Sequence, residues 1–259
     1  MSQIVNALEE HQFERKLTPS SPILTGLACA AEHSPKFPSA WKKLLRRGPK
    51  GWAKLARLVA AESPVYSALV GTTIAVDVVN GGVKVNALPE LVTAAVNFRI
   101  DFSESIASTQ EHVSKVVGAI AKKHRLELSA WKGANSTDLG GRYVQLETFG
   151  KPLEPAPQSP SSGDVWELFA GTVRAVIPGP DGAGRIVTPF ASTGNTDCKM
   201  YYNLTRNVYR FNGAPLSAAY NIHTVDERFR IDAQWSIVDW VHGIIQNSNS
   251  FTGEEGKFH

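Results

Sequence analysis

Apolar residues recur along this chain at two periods, and the switches between them mark its elements. Ile4, Val5, Leu8 and Phe13 fall at helical spacing with Glu9, Glu10 and His11 opposite, which predicts a helix within residues 1–13. Pro19, Pro22, Pro35, Pro38, Pro49 and Pro64 then bracket short helical pieces near 22–32, 39–47 and 50–61, an inserted helical block spanning about 20–65. In the last piece Trp52, Leu55, Ala56, Leu58 and Val59 form one apolar side. The period changes at Thr72-Thr73-Ile74-Ala75-Val76-Asp77-Val78-Val79, a β-branched run that predicts a strand. Asn80-Gly81-Gly82 is a turn signal, Val83–Asn86 continues the strand pattern, and residues 91–100 form the next strand. Residues 103–123 read as a helix capped by Ser103 or Ser105, with Ile106, Val113, Val116, Val117 and Ile120 inward, and 125–131 as a short strand. Helix, strand, strand, helix, strand is most of a ferredoxin-like two-layer α/β sandwich with one strand missing at its front.

The proline-rich stretch at 150–163 separates this block from a second. Beyond it, a helix is expected from Asp164, a strand at 185–190, a turn at 192–197, a helix at 197–204 and a strand at 207–211. The last helix, at 232–246, places Trp235, Val238, Val241 and Ile245 on one side. The expected division is 1–158 and 159–259.

Composition changes this picture little. Of 259 residues 42% are hydrophobic and 20% charged, which describes a folded globular chain rather than a disordered one. The net charge of +3 is modest, but Lys42, Lys43, Arg46, Arg47, Lys50, Lys54 and Arg57 crowd a stretch with no acid between Glu32 and Glu62. Such a face is either simply solvated or able to meet phosphate or an anionic membrane, and no zinc finger, stacking platform or recognition helix accompanies it to indicate nucleic acid. Cys29 and Cys198 make neither a disulfide framework nor a thiolate metal motif. No apolar run is long enough to span a membrane. The N-terminus lacks the order of a signal peptide, so the sequence as written is expected in the cytoplasm. Its opening directly on a helix raises the expectation of a further segment upstream.

Three constellations carry candidate chemistry. Residues 219–230 hold His223, two carboxylates and two guanidiniums; an imidazole there is either a metal ligand or an ordinary loop histidine. Thr193-Gly194-Asn195-Thr196-Asp197 follows an apolar run and opens a helix, so its backbone N–H groups either hold an anion or merely cap that helix. Asn86 and Arg99 lie on neighbouring predicted strands, and the planar guanidinium fork of Arg99 suits a carboxylate.

The run Thr72–Glu90, followed by Leu153-Glu154-Pro155-Ala156-Pro157, Thr193–Asp197 and Tyr220-Asn221-Ile222-His223-Thr224-Val225-Asp226-Glu227, resembles the dinuclear-zinc peptidase family of carboxypeptidase S and aminoacylase. The resemblance covers nearly the whole chain. It implies a lid, or dimerisation, domain with a helical insertion, followed by an incomplete α/β zinc-exopeptidase catalytic domain. The implied reaction is hydrolysis of an amide next to a free carboxylate, in a peptide or N-acyl amino acid, by a homodimer paired through the lid. His223 is similar to a C-terminal zinc ligand. Asn86 resembles the lid asparagine that contacts substrate, and Arg99 the lid arginine that grips its carboxylate. Gly194, Asn195 and Thr196 resemble the stretch lining the carboxylate side of the cleft, with Lys199 where many relatives carry arginine. Complete relatives are expected to be vacuolar or secreted.

The departures bear on activity. The family's His-X-Asp pair is absent, Glu9-Glu10 lies in a helix on the wrong side of the lid, and Glu254-Glu255 is in the tail. Zinc is therefore not expected to be held stably, and no catalytic residue is assigned. The other reading is a non-catalytic fragment that dimerises or binds carboxylate ligands.

Overall fold

The computed structural model describes residues 1–132, 141–179, 184–222 and 224–251. They fall into two compact units, Met1–Ala156 with Phe190–Gly194, and Pro157–Pro189 with Asn195–His259.

The first unit has two cores. One lies between helices α1 (Ser2–Glu10) and α6 (Ile106–Lys123) and the strands beside them. Ala7, Leu8, Val113, Val116 and Val117 are buried there, with Val96, Phe98, Ile120, Leu128 and Val144 packed against them. Strands β1 (Thr73–Gly81) and β2 (Val92–Arg99) form an antiparallel ribbon, while β3 (Glu127–Ala130) pairs parallel with β4 (Tyr143–Leu146). The second core belongs to α2 (Pro22–His33), α3 (Ser39–Arg46), α4 (Pro49–Glu62) and α5 (Pro64–Ala68), which close around Leu17, Ile23, Leu44, Leu55, Ala56, Val59, Leu69 and Val70. Prolines sit in the first turn of α2, α4 and α5, where a missing N–H costs nothing. Gly48, at φ 62°, makes the sharp turn from α3 into α4.

Of the two serines able to cap α6, Ser105 does so. Its hydroxyl accepts from the Ser108 backbone N–H at 3.1 Å, and the Ser108 hydroxyl accepts from the Ser105 N–H at 2.9 Å. Ser103 is committed elsewhere, donating from backbone and hydroxyl to the buried Asp101 carboxylate at 2.9 and 2.6 Å. Ser105→Ala is expected to cost about 1 kcal/mol in urea unfolding, whereas Ser103→Ala should leave α6 itself intact by amide exchange.

Several expected elements differ. Val83–Asn86 is not strand but part of the loop 82–91, because Gly82 turns the chain at φ 81° and pairing ends at Gly81 opposite Val92. The alternating valines there have no partner strand, and Val83 and Val85 are fully exposed. β4 and α5 were too short to show a period. The described strands of this unit form two separate two-stranded sheets rather than the one sheet a ferredoxin-like sandwich implies.

The second unit is built on α7 (Asp164–Val176) against α8 (Ile231–Asn249). Trp166, Phe169, Tyr209, Phe211 and Trp240 cluster with ring centroids 4.7–5.8 Å apart. The close approach of the helices needs Gly243, where a Cβ would lie 2.7 Å from Val176 Cγ1. The apolar runs at 185–190 and 207–211 are not strands; at the latter, Ser159 bonds Val208 in place of a ladder. The expected helix at 197–204 is one 3₁₀ turn, Asp197–Met200. Trp235, Val238, Val241 and Ile245 share one face of α8, as their spacing requires, yet that face is exposed and Ala233 and Trp240 are the buried residues. A helix apolar on both sides is built for burial on both.

Candidate carboxylate-binding site

β2 alternates cleanly: Val92, Ala94, Val96 and Phe98 turn inward, and Thr93, Ala95, Asn97 and Arg99 turn to solvent. That parity puts the Arg99 guanidinium on the outer face at the end of the strand. Its Nη1 donates to the Thr193 carbonyl oxygen at 2.7 Å, across 94 positions of sequence. Gly194 lies beside it: a Cβ added there would stand 3.8 Å from Arg99 Nη1. Two of the segments singled out in the sequence thus meet in the first unit. Arg99 is itself exposed, and a guanidinium fork of this kind can grip a carboxylate by parallel bonds.

Asn86 is elsewhere. A bulge at Asp77, where the register shifts between Val76 and Val78, twists the ribbon, and its outer half on β1 is exposed on both faces. Asn86 sits in the loop at the tip, and Arg99 is paired with Thr73 at the base. Seven residue steps at ~3.3 Å put roughly 23 Å between the two ends of β2. Val83, Val85 and Leu88 at the tip are exposed and pack on nothing. One chain cannot close Asn86 and Arg99 on the same small carboxylate.

In the second unit, Thr196 N–H donates to its neighbour's Asn195 Oδ1 at 2.7 Å, and the Thr196 hydroxyl accepts a long 3.4 Å bond from Cys198 N–H. Gly194 N–H, in the first unit, donates to Ser192 Oγ at 3.3 Å. Of the N–H groups expected to cradle an anion, those of Gly194 and Thr196 thus bond locally.

His223 lies outside the described residues. Its neighbours form a tight hairpin, with β5 (Ala219–Tyr220) antiparallel to β6 (Arg228–Phe229) and Asn221 and Asp226 at positive φ. The charges of this segment neutralise one another: Arg228 pairs with Asp226 at 3.3 Å and lies over the Tyr220 ring, and Arg230 bonds both oxygens of Asp232. Hydrogen bonding to Arg230 holds the Asp232 carboxyl below its ordinary range.

A separate hollow of about 290 Å³ in the first unit is lined by Phe13, Lys16, Glu104, Ser108 and His112. Burial acts to raise the Glu104 carboxyl, but hydrogen bonds from Lys16, at 2.7 Å, and Ser108 outweigh it and hold Glu104 below its usual value. None of the sequence candidates lines it. The partner that sequence reasoning missed is the Thr193 carbonyl, a backbone atom with no residue signature.

Comparison with known proteins agrees with the resemblance. Residues 1–125 match the family described as Peptidase dimerisation domain. Carboxypeptidase S of Saccharomyces cerevisiae is 34% identical over 96% of this chain and 45% of its own length. An uncharacterized carboxypeptidase of Schizosaccharomyces pombe is 33% identical over 98% of this chain and 42% of its own. The N-fatty-acyl-amino acid synthase/hydrolase of Mus musculus is 30% identical over 74% and 34%, respectively. The chain spans less than half the length of these relatives. No solved structure matches. With a peptidase dimerisation domain match at residues 1–125 and alignment along almost its whole length, the chain is similar to part of carboxypeptidase S and its relatives.

Proposed function

We propose that this chain provides the dimer-forming lid and the substrate-carboxylate grip of a carboxypeptidase S-like hydrolase, one that cleaves an amide next to a free carboxylate in a peptide or N-acyl amino acid. In this reading residues 1–158 are the lid, an α/β domain carrying the helical insertion, and 159–259 belong to the catalytic domain. The observation that carries it is Arg99, exposed at the end of β2 and held at Nη1 by the Thr193 carbonyl. The separation of Asn86 from Arg99 supports a homodimer, because a two-fold partner can bring its ribbon tip to the other copy's arginine. By resemblance alone, Asn195 and Thr196 would also contact a substrate carboxylate, and His223 would be a zinc ligand of a complete enzyme.

The resemblance implies zinc, but among the described residues no three His, Cys, Asp or Glu side chains come together to hold a metal ion. The described donors alone do not fit a zinc site. What the chain's own residues do is orient: a guanidinium held at one N–H presents the others in a fixed plane, so a bound carboxylate places its neighbouring amide in a set direction.

Titration calorimetry with N-acetyl-leucine against its uncharged amide tests the grip. A charge-assisted bond of this kind is worth about 1.5–3 kcal/mol, so Arg99→Ala should weaken the acid by roughly 10–100-fold and leave the amide unaffected. Equal binding of acid and amide would refute it. Light scattering above micromolar concentration should give the dimer mass, and a strictly monomeric mass would remove the second copy.

A further inference from the structure

The insertion between α1 and β1 has an outer surface that the hydrolase reading does not use. α3 and α4 pack on each other and turn Trp41, Leu44, Leu45, Trp52, Leu55, Ala56 and Val59 into one core. Their opposite sides are basic. On α4, Lys50, Lys54 and Arg57 follow at i, i+4 and i+7, which is one line along a helix, and all three are exposed. On α3, Lys42, Lys43 and Arg46 flank the side opposite Leu44 and Leu45. None of the six is ion-paired to a described residue. The two helices contain no Asp and only the terminal Glu62 on the acidic side.

We propose that this face docks on an anionic bilayer surface, with the cations at the headgroups. Cations set in one line along α4 and left without anions repel one another, and an anionic plane relieves that along the helix. Ala61 continues the line of Lys50, Lys54 and Arg57, and the chain then runs into Pro64, Val65 and Tyr66, with Val65 69% and Tyr66 47% exposed. An apolar step and a tyrosine beside a basic stripe suit the headgroup boundary, where one end of the aromatic ring is dry and the other wet. Nucleic acid fits less well. Residues 39–62 contain no Asn or Gln to read a base edge. The aromatic rings that could stack on bases are committed: Trp52 Nε1 donates to the Leu45 carbonyl at 3.3 Å, and Trp41 packs edge-on to Phe37 and against the core. No described helix is long and apolar enough to cross a membrane, and the proposed contact is with the surface.

The test is sedimentation of the full chain with vesicles of phosphatidylcholine alone or with about 30% phosphatidylserine. Binding is expected only to the anionic vesicles and should fall steeply as salt rises. Each cation at an anionic surface contributes roughly a fivefold factor, so Lys50→Gln/Lys54→Gln/Arg57→Gln should weaken binding by about 100-fold. Those side chains are exposed, and circular dichroism will confirm that the variant keeps its helices. Lys115→Gln/Lys122→Gln/Lys123→Gln removes the same charge from the exposed side of α6 and should bind within a few-fold of the parent. Equal loss in both variants would reduce the effect to net charge and overturn the proposal. So would failure to bind anionic vesicles, or tighter binding to a DNA duplex than to them at the same salt.

Discussion

Offered N-acyl amino acids or blocked dipeptides with zinc added, the 259-residue chain is expected to release no product above the uncatalysed rate. Metal-assisted amide hydrolysis needs an ion that lowers the pKa of a bound water and a carboxylate that takes its proton. A zinc ion that activates water is ordinarily held by three protein ligands, and the sequence offers one candidate, His223, without a His-X-Asp pair to join it. Glu9 and Glu10 are exposed at the end of α1, a helix whose other face packs on α6, so they are not poised over a cleft. The carboxylate grip proposed for Arg99 would not speed the chemistry if it held substrate and transition state equally. A second copy adds another Arg99 and Asn86 and no new acid. Elemental analysis and product release together decide the matter: two zinc ions per chain, with turnover abolished by His223→Ala, would show that the ligands had been overlooked.

Leu55→Ala is expected to cost about 2–5 kcal/mol, the largest loss of stability from a single side chain in the insertion. Leu55 is fully buried on α4, inside the cluster formed with Leu44, Val59 and Val70. The neighbours are helices held by packing rather than by sheet pairing, so the vacated space is filled only in part. The core around Val117 is a separate cluster, and amide exchange in α6 should therefore change far less than in α3 and α4. A cost under 1 kcal/mol, or equal loss of protection in α6, would mean that the two cores are not independent. In the other unit, the exposed apolar face of α8 and strands of only two residues predict faster exchange across 157–251 than across α6.

Long periodic elements could be read directly. α4, α6 and α8 were legible because their apolar positions repeat over three or more turns, and β2 because its alternation is unbroken from Val92 to Arg99. Which side of α8 would be buried could not be read, since Trp235 and Trp240 are equally apolar and only packing against α7 chooses between them. Val83 and Val85 look like strand residues, but a strand needs a partner, and pairing had already ended at Gly81. For the site, the outward side of Arg99 on β2 was legible from the alternation. Its bond to Thr193 was not, because a backbone carbonyl carries no residue identity. Asn86 was misplaced relative to Arg99 for a similar reason: neighbouring strands say nothing of which end of the ribbon a residue occupies until the register is known.

The helical insertion begins and ends at one point. Lys16 N–H donates to the Val70 carbonyl at 2.7 Å, and Arg15 reaches across to the Thr72 carbonyl at 3.0 Å, so the path leaves the end of α1 and returns beside it before entering β1. Residues 17–70 therefore form a side loop on a backbone that would be nearly continuous without them. Such a segment can be gained, lost or exchanged in a lineage as one piece, because the flanking helix and strand keep their spacing whichever version is present. Its interior and its basic surface are then free to diverge at a different pace from the ribbon that carries Asn86 and Arg99.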